Sequence, residues 1–372
     1  MPATLRLREP REMLALIPHQ IGFRPVESAV VVSLRPPRGR VGLVVRVDLD
    51  ALADEVTGPQ LARTLVAHLD RDGARSAVLV VYTATDPRPH PAHLTWAAVA
   101  HLREAAHLLG QVPVWVVTAT GYLALDCDGE CCPPGGRPLV ELDSTQVGAR
   151  MVLAGSAVAD RRDDLALIVP ADGEARRAVS RVRTRWATRG ARAAAEGASA
   201  LERWRLDSLS AWRDQVRSAA ADPAAHGSRW GRIEAGLRDR RVRDGVLLAL
   251  LPDVGTLPED LVRGPEPAQT ALVRMDEALA RLYDPVRGVR PEQRPWDVHV
   301  RVLEQVVAHG RAGEQAPACT LLAVLAWWAG GGVRAELLLE RALREDPEYR
   351  LAQLYAQAVG AGMPPGWVAA GD

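Results

Sequence analysis

Ser28-Ala29-Val30-Val31-Val32-Ser33-Leu34, then Arg35-Pro36-Pro37-Arg38-Gly39-Arg40, then Val41-Gly42-Leu43-Val44-Val45-Arg46-Val47-Asp48-Leu49 is the stretch from which the fold is read. Its outer segments are β-branched and almost wholly apolar and its middle has turn composition, so it predicts a β-hairpin covered on both faces. Working outward, Met13, Leu14, Leu16 and Ile17 recur at helical spacing within 9–21, ahead of Gly22. Downstream, the pattern predicts a helix over 59–70, a strand over 76–83, a helix over 91–109 and a strand over 112–118. A short strand over 138–142 and a helix over 145–154 follow. This alternation defines an α/β N-terminal domain, a mixed sheet with helices, over 1–155.

Beyond residue 156 the periodicity is helical throughout, which predicts an all-α domain over 156–372. Val179, Val182 and Trp186 make one apolar stripe, and Leu201, Trp204, Leu209, Trp212 and Val216 a second, both read as core. Further helices are expected over 241–251, 269–283, 296–309, 317–328 and 334–345, with loops near Pro223, over 252–267 and over 284–295. Leu322, Ala323, Ala335, Leu339, Ala342 and Pro347 fall on the tetratricopeptide register, while Cys319 and Ala326 stand where aromatics are usual. A tetratricopeptide-like helix pair is therefore expected near 316–349, as a packing unit and not as a peptide-binding array.

At 372 residues the chain exceeds the span of one growing core, and 46 basic against 46 acidic residues leave no global field to attract nucleic acid or an anionic membrane. The sequence holds no Lys, no Asn and one Phe, the imprint of a high-GC genome, so its arginines do not by themselves indicate a ligand. The first residues lack a continuous apolar core, and the longest apolar run, over 320–329, is too short to cross a bilayer. A cytoplasmic protein is expected, with a protein partner or a second copy of itself in place of nucleic acid or membrane.

Cys127, Cys131 and Cys132 lie in Asp126-Cys127-Asp128-Gly129-Glu130-Cys131-Cys132-Pro133-Pro134-Gly135-Gly136. Three thiolates could hold zinc or iron, but a fourth ligand is missing locally, so a histidine such as His19, His90 or His93 would have to arrive through the fold. Vicinal cysteines also point apart in an extended backbone, so a structural loop is preferred. The acidic neighbours argue against a nucleophilic thiolate. A second candidate is polar: with a turn centred on Pro37 and Arg38, Asp48 falls opposite Glu27 and Arg46 opposite Ala29. Glu27, Ser28, Arg46 and Asp48 would then share one sheet end, as a register-fixing ion network or as a pocket mouth. His90, His93, His101 and His107 read as solvated or capping, and the seven arginines over 176–192 as a solvated face.

The segment Leu14-Ala15-Leu16-Ile17-Pro18-His19-Gln20-Ile21-Gly22-Phe23-Arg24-Pro25-Val26-Glu27-Ser28, together with Arg46-Val47-Asp48, the Cys127…Cys131-Cys132-Pro133 loop and the tail Asp346-Pro347-Glu348-Tyr349, resembles the actinobacterial family named domain of unknown function 4192. That resemblance implies no activity. Gly-rich dinucleotide, P-loop, G-x-S-x-G, H-E-x-x-H and kinase signatures are all absent from the sequence. The leading expectation is a non-enzymatic interaction or regulatory protein. The alternative is a metal- or thiol-dependent enzyme, or a metal sensor, using the cysteine loop.

Overall fold

The computed structural model describes residues 9–37, 39–222, 229–264 and 266–369. The first eight residues, read from sequence as lacking a continuous apolar core, Arg38 of the expected turn and the loop expected at Pro223 lie outside them. The chain divides into two compact units, Met1–Leu165 and Ala166–Asp372. Residues 156–165 belong to the first of these, where Ala159 bridges Phe23 and Ser156 meets His19.

In the first unit β1 (Ser28–Arg35), β2 (Arg40–Asp48), β3 (Ser76–Tyr82), β4 (Val114–Val117), β5 (Gly121–Ala124) and β6 (Arg137–Pro138) form one sheet in the order β2-β1-β3-β4-β5-β6. Only β3 and β4 run parallel, and they are joined over helix Leu94–Ala105. One face, with Ala29, Val31, Leu79, Val81 and Val116, packs in a core with Leu65 and Leu69 of helix Gly58–Arg71 and with Ala98 and Leu102. Val30, Val32 and Val80 are buried on the other face. Helix Pro10–Ile21 buries Leu14 and Ile17, packs on β2 and on helix Gln146–Leu153, and ends where Gly22 takes the left-handed conformation at φ 87°. β2 is an edge strand and only half-buried, so the covering expected for the whole hairpin holds for β1 alone.

The hairpin register differs from the expected one. Arg35 pairs with Arg40 and Leu34 with Val41 as a turn centred on residues 37 and 38 requires, but the ladder shifts between Val32 and Leu34. Beyond it Asp48 lies opposite Ser28 and Arg46 opposite Val30. The extra residue is on β2, where Asp72 Oδ2 accepts the Leu43 amide at 2.8 Å and the Arg35 Nε at 2.8 Å. Gly42 makes room for this ion pair, since a Cβ there would lie 2.3 Å from Asp72 Oδ2 and 2.5 Å from Arg35 Nε. Gly42→Val should therefore cost about 1–3 kcal/mol in urea unfolding through overpacking. An unchanged midpoint would show that the pair can move aside freely.

One other expectation in this unit is corrected. The strand expected over 138–142 is a helical turn, Val140–Asp143, preceded by the two residues of β6, and β5 and the short helix Leu49–Ala53 were not anticipated. β5 is four residues long and follows a tight turn, too short to establish a period.

The second unit is helical among the described residues, opening with Gly173–Glu196 and Ala198–Ala221. The expected helices appear at Arg240–Ala249, Gln269–Tyr283, Gln293–His309, Ala316–Trp328 and Gly332–Glu345. Leu257–Val262 is helical where a loop was expected, and Trp230–Leu237 and Arg350–Gly360 are additional. The tryptophans are core: Trp186 and Trp204 stack with centroids 6.3 Å apart, and Gly190 permits this because its Cβ would fall 2.7 Å from the Trp204 ring. Helix Ala316–Trp328 is buried along its whole length and packs on Gly332–Glu345. No described helix is long and apolar enough to cross a membrane.

Candidate functional site

β1 is antiparallel to β3 and β3 is parallel to β4, so the start of β1 and the ends of β3 and β4 lie at the same edge of the sheet. After Tyr82 the chain leaves for a helix, and after Val117 it turns back into β5, while the Thr83 amide bonds the Val117 carbonyl at 3.1 Å and holds the two exits side by side. A cleft of about 720 Å³ occupies this position, within the size range of small-molecule sites. Leu14, Pro18 and His19 form one wall, Arg24 to Glu27 and Tyr82 to Ala84 the floor and rim, and Leu139, Leu142, Asp143 and Val152 the far side.

His19 Nδ1 lies 3.0 Å from Ser156 Oγ, and burial, with the nearby Arg24 charge, holds its pKa below the ordinary histidine value. The imidazole is therefore neutral at physiological pH. Glu27 has a left-handed backbone, φ 42°, unusual for a residue with a side chain. Its carboxylate accepts the Ala84 amide at 2.9 Å and the Thr83 hydroxyl at 3.2 Å, which fixes the strained residue at the rim. Thr83 Oγ1 also lies 3.3 Å from His93 Nε2, while His93 Nδ1 caps the next helix by accepting the Thr95 amide. The Tyr82 hydroxyl is buried without a hydrogen-bond partner among the described residues, and burial pushes its pKa up.

The polar residues singled out from sequence are divided between two places. Arg46 pairs with Asp48 at 2.6 Å and donates from Nε to Ser28 Oγ at 2.9 Å, a local clasp at the end of the hairpin. Glu27 instead turns into the cleft. The one-residue bulge accounts for the separation, because it places Asp48 opposite Ser28 and not Glu27. Of the other histidines, His101 bonds the Leu52 carbonyl and His107 that of Glu104, and among the described residues no histidines group as metal ligands. Arg24 and Thr83 were not singled out as site residues, and His19 was considered only as a fourth ligand to the cysteines, whose described cluster does not include it. The available signal was the Pro- and Gly-punctuated segment 18–27, running from the last turn of a helix into a buried strand, a setting typical of functional loops.

The cysteine loop is a second constellation. The Sγ atoms of Cys127, Cys131 and Cys132 all lie within 4.8 Å of one another, and Cys127 and Cys131 are 3.2 Å apart. A turn in which the Cys132 amide bonds the Gly129 carbonyl at 2.9 Å overcomes the divergence of the vicinal pair. The Gly129 amide holds the Cys127 thiol below its ordinary pKa, while Cys127 pushes Cys131 up. Arg88 buttresses the loop from behind, donating to the carbonyls of Cys127, Cys132 and Pro133 at 3.0 Å each, and is itself held by Asp86 at 2.7 Å. Cys319, by contrast, is buried in the helical core, where burial pushes its thiol up to about 12.

The family model described as a domain of unknown function (DUF4192) matches residues 10–366. No curated protein and no solved structure matches the chain.

Proposed function

The chain belongs to the DUF4192 family, a domain of unknown function, and we propose that it is a non-enzymatic regulatory protein whose N-terminal unit binds a small amphipathic molecule in the cleft at the ends of β3 and β4. The cleft carries this reading. It joins an apolar body, from Leu14, Pro18, Leu142 and Val152, to a few convergent polar groups, His19, Arg24, Glu27 and Asp143, which is the usual make-up of a small-molecule site. The buried Tyr82 hydroxyl is a further unsatisfied group in its lining.

A hydrolytic reading, distinct from the cysteine-based enzyme considered from sequence, would rest on the His19–Ser156 contact, which has nucleophile-to-base spacing. The base of such a pair is usually oriented by a third group, often a carboxylate, whereas burial and the Arg24 cation act on His19 and make it a weaker base. A regulatory output is supported by the helices that wall the cleft, which leave Val140, Val152 and Leu153 largely exposed. This is the surface we assign to a protein partner or a second copy of the chain. Reduced, closely spaced thiols suit the cytoplasm. Nucleic acid is not expected, since the arginine-rich helix spends Arg183 on Glu234 and Glu314 and Arg189 on Asp207.

The test is a thermal-shift screen of small amphipathic acids and amines. A true ligand at a hundredfold excess over its dissociation constant adds about 2.7 kcal/mol, a shift of several degrees. Val152→Trp, which fills the cleft from its exposed edge, and His19→Ala should both abolish that shift while leaving the unliganded melt near wild type. Hits that survive both changes, or that are chemically converted, would overturn the reading.

A further inference from the structure

Going beyond the cleft, we infer that Cys127, Cys131 and Cys132 form a zinc site with three protein thiolates and an exchangeable fourth position. Three features carry this. The sulfurs are already assembled, all within 4.8 Å of one another, although Cys131 and Cys132 are neighbours in sequence and need the turn at Gly129 to converge. The geometry is backed by a dedicated support: Arg88 ties together the carbonyls of both ends of the cluster, and the Ala124 amide approaches Cys132 Sγ at 3.4 Å, as amides do towards metal-bound thiolates. A loop needing only to connect β5 to β6 requires neither the sulfurs nor their support.

The chemistry selects the ion. An all-sulfur donor set suits zinc and other thiophilic cations and is a poor match for magnesium or calcium. Asp128 and Glu130, beside the sulfurs in sequence, add a field that favours a cation over a nucleophilic thiolate. Cys132 is buried, Cys127 half-buried and Cys131 exposed, so the cluster opens towards solvent on the Cys131 side, and the fourth ligand is water or a small solute. Three protein ligands with one open position is the coordination of a site whose metal remains accessible. Binding releases the thiol protons to solvent, and affinity should fall steadily as pH is lowered.

The experiment uses the full chain, purified with reductant and without chelator. Elemental analysis should return about one zinc per chain. Cys127→Ser, Cys131→Ser and Cys132→Ser should each abolish it, and Cys319→Ser should retain it. Because a loop variant could fail to fold, the decisive measurement uses wild-type protein: cobalt(II) added to the metal-free chain should give thiolate-to-cobalt charge-transfer absorption with the visible bands of a tetrahedral ion, and zinc should displace both. Substoichiometric zinc together with absent charge-transfer absorption overturns the site. So does mass-spectrometric detection of a Cys127–Cys131 disulfide in the reduced preparation, which would assign the close pair to redox chemistry.

Discussion

Arg183→Leu should lose about 3–5 kcal/mol of unfolding free energy at neutral pH, and much of that loss should disappear on acidification. Arg183 is buried in helix Gly173–Glu196, with Nη1 3.2 Å from Glu234 Oε2 and Nε 3.4 Å from Glu314 Oε2. Glu234 is also buried and accepts the Arg311 amide on its other oxygen at 2.8 Å. Leucine fills much of the arginine stem's volume, so the dominant cost is an uncompensated carboxylate in an apolar interior. Desolvation already holds the Glu234 pKa above its ordinary value despite the help of Arg183, and without the guanidinium it must rise further. A carboxyl with a raised folded pKa contributes stability that is complete below its unfolded pKa and lost as pH rises through the folded one. The gap between variant and wild type should therefore be widest above the variant's Glu234 pKa and should shrink towards the packing loss alone at about pH 4.5. Urea titrations of both proteins at the two pH values check this, and a gap independent of pH would remove Glu234 as its source.

The layer order was legible because it depends on local pattern. Runs such as Ser28–Leu34 and Ser76–Thr83 are short and rich in β-branched residues, which marks them as buried strands, and Leu201, Trp204, Leu209 and Trp212 recur at the spacing of one helical face. What escaped was set by partners distant in sequence. The bulge at Gly42 is pinned by Asp72, and its one-residue shift is what parted Glu27 from Arg46 and Asp48. A glycine inside a strand was the visible hint. Arg183 was read as part of a solvated basic face, since nothing within its own helix announces Glu234 or Glu314. The cysteine loop was legible in composition but not in shape: whether vicinal thiols converge depends on the turn at Gly129 and on Arg88, which is contributed by the loop between β3 and the next helix.

That loop gives the last expectation. Arg88→Ala should weaken zinc binding about 10- to 100-fold while leaving all three thiolates in place. The guanidinium donates to three carbonyls while pairing with Asp86, which also accepts the Gly135 amide at 3.4 Å. A planar fork can do this and a single ammonium cannot, so Arg88→Lys should restore only part of the affinity. Without it the carbonyls of Cys127 and Cys132 lose their shared donor and the two ends of the cluster separate. Arg88 touches no metal in this arrangement and is a positioning residue, so the readout must separate it from a purely structural one. At saturation the cobalt spectrum of Arg88→Ala should match wild type, because the ligands are unchanged, while the competition constant against a chromophoric chelator shifts and the metal-free thiols react faster with a maleimide. A variant with a lowered melting temperature but unaltered chelator competition would show that Arg88 merely braces the fold, and that the sulfurs meet without it.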